Sequence, residues 1–173
     1  KDEQDVTELI IADLNLEKAK TIAGELGARA SAVKVDASKP ETVRDAVKGC
    51  DVALGFIGPF YMFEKAIAGA CIDAGTPYVS IMDDYDAYLS VITLDEKAKS
   101  AGVTCVCGLG NSPGITNLLA KKGYLSMDEP EKIHIQWAGG SGEDVGLANI
   151  KHVLHIFAGT TLQWRNGKEV RVK

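Results

Sequence analysis

The sequence has no cluster of Lys and Arg: 19 basic residues face 24 acidic ones, leaving a formal charge of −5. Binding a phosphate backbone requires concentrated positive charge, so nucleic acid is not an expected partner. No apolar run reaches the ~18 residues a membrane helix needs, and no basic stretch leads into an apolar one as in a signal peptide. The expectation is a cytoplasmic protein with no membrane partner. Cysteine is sparse. Cys50, Cys71, Cys105 and Cys107 lack Cys-x-x-Cys spacing and read as reduced, buried thiols with no metal site. A strand through Val103–Cys107 would put Cys105 and Cys107 on one face. No internal repeat or low-complexity tract appears. The chain opens on Lys1, without a methionine, and has no glycine before Asp13.

What is present is ordinary for a globular domain: 46% hydrophobic and 25% charged residues over 173 positions. That length builds one sizeable core, or one domain and part of a second. The stretch Asp51–Phe60 organises the reading. Val52–Phe56 carries no charge and suits a central strand buried on both faces, as in a parallel sheet covered by helices. Gly58 and Pro59 then turn the chain and bare its backbone at the sheet edge, where open α/β sheets bind ligands.

Strand and helix signals alternate through the first two thirds. A strand over Glu8–Asp13 precedes a helix from Asn15 to Leu26, with Asn15 as N-cap and Gly27 as stop. A strand over Ala30–Val35 ends in Asp36, and Ser38, Pro40 and Glu41 mark the next helix start. After the central strand come a helix over Tyr61–Ala74, a strand over Tyr78–Ile81, a helix over Thr93–Ser100 stopped by Gly102, and a strand over Val103–Cys107. The fold class this predicts is α/β, a Rossmann-like doubly wound parallel sheet.

Beyond Gly108 the rhythm changes. Gly108–Gly114 reads as a flexible link into a helix over Ile115–Tyr124. Lys132–Ala138 alternates Ile133, Ile135 and Trp137 with polar residues, as a half-wet strand does. Gly139–Gly146 reads as a loop, Leu147–Ala158 as a helix, and Leu162–Val172 as a hairpin turning at Asn166-Gly167. A boundary near Pro113 divides residues 1–113, a partial nucleotide-binding domain, from 114–173, part of an α+β second domain whose sheet looks unfinished at Lys173.

Asp13 closes the first strand, where a doubly wound fold places the acid that binds the adenosine ribose; its other reading is a helix cap on a surface turn. A glycine-rich phosphate loop normally precedes that acid by about 20 residues, more than stand before Asp13 here. Asp36 and Ala37 end the neighbouring strand, where adenine would lie. Leu14 and Asn15 behind Asp13, in place of Arg, favour NAD over NADP. Ile57, Gly58, Pro59 and Phe60 would approach the pyrophosphate and nicotinamide. Asp83, Asp84 and Asp86 read as base, as ligands for a substrate amine, or as solvated loop charges. His152 and His155, three apart on one helix, read as a proton shuttle or as hydrogen-bonded packing residues.

Ile10–Lys20, Val35-Asp-Ala37, Lys48–Val52 and Ala101–Thr104 occur in an order that resembles the saccharopine dehydrogenase-like oxidoreductases. The sharpest match is Gly108–Leu119, similar to that family's Pro-Gly junction between its two domains. Gly139-Gly140, the His152–Phe157 helix and the Arg165–Lys168 hairpin fit its lysine 6-dehydrogenase branch. The resemblance implies an NAD or NADP cofactor, hydride transfer at a carbon bonded to nitrogen, and a homodimer. It also implies an internal fragment, since members begin with a strand and glycine-rich turn ahead of this segment. Two departures stand out: Ser80 where the family often has Asp, and Asn111-Ser112 where an Asp often precedes Pro-Gly.

The expected function is therefore an NAD(P)-dependent dehydrogenase or reductase acting on a C–N bond of a small-molecule substrate, an amino acid or polyamine. Asp83, Asp84 and His152 are the candidates for substrate contact and proton transfer. A nucleotide-binding regulatory protein of the same fold is the alternative.

Overall fold

A computed structural model of the chain describes residues 5–136, 138 and 145–172. In chain order the elements are β1 (Leu9–Asp13), α1 (Leu16–Leu26), β2 (Ala30–Lys34), α2 (Pro40–Val47), β3 (Ala53–Gly55), α3 (Phe60–Ala74) and β4 (Tyr78–Ser80). Then come α4 (Tyr85–Val91), α5 (Asp95–Ala101), β5 (Cys105–Cys107), α6 (Ile115–Leu125), α7 (Leu147–Ala158), β6 (Thr161–Arg165) and β7 (Lys168–Val172). The chain packs as two compact units that interleave along the sequence. The first takes Lys1–Leu54, Lys65–Val79 and Leu94–Cys105; the second takes Gly55–Glu64, Ser80–Thr93 and Val106–Lys173. The expected boundary near Pro113 falls within the second unit.

The sheets are those of a doubly wound fold. β1 and β2 pair in parallel, from Leu9 opposite Ala30 to Asp13 opposite Lys34. The strand order in the second sheet is β3-β4-β5. Ala53 N–H donates to Pro77 O at 2.8 Å and Ile81 N–H to Gly55 O at 3.3 Å, so the partners advance together and the pairing is parallel. The bonds from Tyr78 N–H to Thr104 O and from Leu109 N–H to Ser80 O do the same for β4 and β5. β6 and β7 pair antiparallel. Their turn carries Asn166 at φ 53° and Gly167 at φ 72°, the left-handed pair a two-residue hairpin requires.

The first unit holds most of the apolar core. α1 buries Ala19 and Ala23, and its start is fixed by Asn15 Oδ1, which accepts from Glu17 N–H and Lys18 N–H at 3.1 and 3.2 Å. Ile67, Ala68, Ala70, Cys71 and Ile72 of α3 are buried, with Val35, Val43, Tyr78 and Val103. Each large aliphatic side chain taken out of water contributes about 1.5–3 kcal/mol. Lys97 pairs with Asp73 at 2.6 Å at the unit's surface.

Several expectations are corrected. Val52–Phe56 is not a central strand buried on both faces: only Ala53–Gly55 is extended, at an edge of its sheet. Val52, Leu54 and Phe56 are 45%, 56% and 64% exposed. An uncharged run permits double burial but needs cover on each side to achieve it. α2 does start at Pro40 with Glu41 in its first turn, and Lys39 stands at its cap position while Ser38 is held by Asp36. Lys132–Gln136 makes no strand among the described residues, and Ile133 and Ile135 are exposed. Alternation says which face a strand would bury but supplies no partner. Trp137 and Gly139-Gly140 lie outside the described residues. α4, not foreseen, spans Tyr85–Val91, with Asp84 at its N-cap position and Asp86 in its first turn.

Gly108–Gly114 is not a flexible link. Leu109 N–H bonds Ser80 O at 2.9 Å, Ile115 N–H bonds Gly110 O at 3.0 Å, and Thr116 N–H bonds Asn111 O at 3.0 Å. Gly114 N–H donates to Asn117 Oδ1 at 3.1 Å. A Cβ on Gly114 would press into the Gly110 backbone, and Gly114 also sits at φ 125°, so glycine is required there. The glycines here serve close approach of two backbone segments.

Candidate functional site

In the first unit, the ends of β1 and β2 form one rim. Val35 N–H donates to Asp13 O at 3.0 Å, which sets Asp13 and Asp36 at the ends of neighbouring strands. Asp13 Oδ1 accepts from Asn15 N–H at 2.7 Å. Asn15, and not Asp13, caps α1, so Asp13 is free of the capping role. Leu14 is exposed, Ala37 is buried and Asp36 is half-buried. Asp36 Oδ1 accepts from Ser38 Oγ at 2.6 Å and Ser38 N–H at 3.0 Å, and Lys39 Nζ lies 3.7 Å from its Oδ2. The Ser38 hydrogen bonds, with the Lys39 charge behind them, hold the Asp36 carboxyl below its ordinary range.

Ile57, Gly58, Pro59 and Phe60 belong to the second unit. Phe60 opens α3, and a Cβ on Gly58 would sit 3.6 Å from Ala148 Cβ of α7. In this unit the structure gathers what the sequence left scattered. Asp84 Oδ2 accepts from Tyr61 N–H at 3.1 Å, and Asp84 Oδ1 lies 2.8 Å from His152 Nδ1. His152 Nε2 lies 3.4 Å from Asp83 Oδ2. The Asp84 side chain is 1% exposed, His152 19% and Asp83 36%. One imidazole is thus held between two carboxylates of different depth.

The neighbouring pair repeats the pattern nearer the surface. His155 Nε2 meets Asp86 Oδ2 at 2.9 Å, and the His155 ring stacks on Tyr61 with centroids 4.0 Å apart and planes 17° apart. Asp83, Asp84 and His152, each a candidate from the sequence, come together here, and so do the candidates Asp86 and His155. Tyr61 was not among the candidates. The spacing His152-x-x-His155 against Asp84-x-Asp86 was the signal available for the histidine pair.

A cavity of about 500 Å³ in the second unit is lined by Asp83, Asp84, Tyr85, Tyr88, Cys107 and Asn117 among others. His152 is not among its lining residues, so it backs the acids. Partial burial pushes the Asp83 carboxyl above its ordinary value, the His152 charge pulls against this, and the Asp84 charge adds to it. An imidazole that donates Nδ1–H to Asp84 presents its Nε2 lone pair on the side of Asp83, 3.4 Å from Asp83 Oδ2, which is the placement a proton relay needs.

The ligand atoms of Asp83, Asp84 and His152 all lie within 4.8 Å of one another. No helix among the described residues is long and apolar enough to cross a membrane.

Residues 1–106 match the family model described as the saccharopine dehydrogenase NADP binding domain. An α-aminoadipic semialdehyde synthase of Arabidopsis thaliana is 33% identical over 117 residues, covering 66% of this chain and 10% of that protein. The apo histidine-tagged saccharopine dehydrogenase (L-Glu forming) of Saccharomyces cerevisiae matches with a TM-score of 0.59 at 23% identity, over 69% of this chain and 25% of that one. The second likeness concerns the fold alone. The chain thus spans a tenth of the one relative and a quarter of the other. The expected preference for NAD finds no support, because the matched domain is described as NADP binding. By its NADP binding domain, this chain belongs to the saccharopine dehydrogenase family.

Proposed function

We propose that the chain is the nucleotide-binding part of a nicotinamide-dependent oxidoreductase acting on the C–N bond of an amino acid or polyamine-like substrate, with Asp83, His152 and Asp84 as its proton relay. The observation that carries this is the His152 imidazole held between an exposed and a buried carboxylate, with both acids lining one cavity. Family membership supplies the cofactor class, and the name of the plant relative, a semialdehyde synthase, supports chemistry between amines and carbonyls.

Asp13 and Asp36 suit the adenosine ribose, since each presents a carboxylate at a strand end on one rim. Ile57–Phe60 would approach the nicotinamide end. The bound cofactor supplies the hydride chemistry. The chain's own part is to orient the substrate and move the proton: Asp83 accepts it from the substrate ammonium, His152 Nε2 shares it, and Asp84 stabilises the resulting imidazolium.

Two measurements test the reading. Calorimetric titration with NADPH and NADH should show binding, weakened by Asp13→Ala. Absorbance of the reduced nicotinamide should change with lysine, saccharopine or a polyamine in the intact protein. Binding without turnover on any of them would favour a regulatory nucleotide-binding protein.

A further inference from the structure

Asp84 and His152 lie on different elements, and a helix held at one point can still rotate and slide. α7 is held at two. His152 and His155 are three residues apart and share a face, about 4.5 Å apart along the axis. His152 meets Asp84 and His155 meets Asp86, so acids on either side of the start of α4 receive successive turns of α7. Tyr61 joins the two anchors. Its backbone N–H donates to Asp84 and its ring lies flat on His155. The path runs from Tyr61 to Asp84, to His152, along α7 to His155, and back to the Tyr61 ring. None of Tyr61, His155 or Asp86 lines the cavity, so they do not meet a ligand there.

We propose that Tyr61, His155 and Asp86 are positioning residues that fix the rotation and axial setting of α7, and thereby hold the His152 imidazole between Asp83 and Asp84. The consequence for turnover rests on the relay reading above; the geometry does not. The ionisable groups facing His155 are Asp86 and Tyr61, and those facing His152 are Asp83 and Asp84.

The test is the imidazole ¹⁵N spectrum of His152 in the whole chain. In the wild type it should show one tautomer, protonated at Nδ1. His155→Ala removes both the stack on Tyr61 and the contact with Asp86, and should return His152 to the averaged tautomers of exposed His134. His155→Phe keeps the stack and should retain a larger share of the fixed tautomer. Leu154→Ala, on the same helix and exposed, should change nothing. Should His155→Ala prove unfolded by circular dichroism, Asp86→Asn and Tyr61→Leu carry the same expectation. A His152 spectrum untouched by these changes, or equally disturbed by Leu154→Ala, overturns the proposal. In the intact protein, His155→Ala should lower kcat about tenfold to a hundredfold, with cofactor affinity unchanged. If the spectra respond as stated but the wild type turns nothing over, the relay reading falls and the positioning stands. If turnover needs His152 and ignores His155, the positioning alone falls.

Discussion

His152 Nδ1 lies 2.8 Å from Asp84 Oδ1, across 68 positions of sequence. Asp84 is the deeper of the two acids on His152, and its other oxygen takes the Tyr61 N–H. Removing this carboxylate leaves a buried N–H and an imidazole without their acceptor. Asp84→Ala should cost about 1–3 kcal/mol, the usual penalty for leaving a buried donor without its acceptor. Urea denaturation measures it, and Asp84→Asn, which keeps an acceptor for Tyr61 N–H, should cost less.

Asp83 titrates above its ordinary 3.8 because burial disfavours its charge, against the pull of His152. For an acid with a raised folded-state pKa, the folded state binds the proton more tightly than the unfolded one. The stabilisation is complete below 3.8 and is lost as pH rises through the raised value. Asp83→Asn should therefore flatten the stability profile in the window just above 3.8. Carboxyl NMR of Asp83 locates the midpoint directly, and a value at or below 3.8 would contradict the burial argument.

Asp36 has the opposite sign. Ser38 holds its carboxyl below 3.8, so the associated stability is present above that value and lost as pH falls through the lowered one. Ser38→Ala should move the Asp36 midpoint back toward 3.8, as followed by carboxyl chemical shift. The Lys39 charge is the lesser cause, and Lys39→Ala should move it less.

Gly114 has no room for a side chain: a Cβ would stand 2.7 Å from Gly110 N and closer still to Gly110 O, at φ 125°. Gly114→Ala should destabilise the second unit by about 3 kcal/mol or more, because strain and backbone displacement add. Gly27→Ala meets nothing within 4 Å, and its φ of 94° alone should cost about 1 kcal/mol. Thermal melts of the two variants separate contact from conformation.

Local signals read well from the sequence. Asn15 and Gly27 bracket α1, Asn166-Gly167 turns the hairpin, and α7 spans the residues its periodicity marks. These depend on neighbours in the chain. What was misread depends on distant partners: burial of Leu54 requires cover on both faces, and a strand at Ile133 requires something to pair with. The knot at Gly108–Gly114 looked flexible because glycine permits freedom, whereas here it permits contact with Ile81 and Pro113. At the site, Asp83, Asp84 and His152 were legible as residue types. Tyr61 was not, since it acts through its backbone N–H and ring face, which no spacing rule announces.

His152 is the proton's way station in the proposed relay. The direct test is the rate of nicotinamide reduction by the intact protein with an amine substrate, wild type against His152→Gln, with cofactor affinity measured for both. The account predicts a fall of roughly a hundredfold to ten-thousandfold in kcat with cofactor binding unchanged. Equal rates in the two proteins would contradict it.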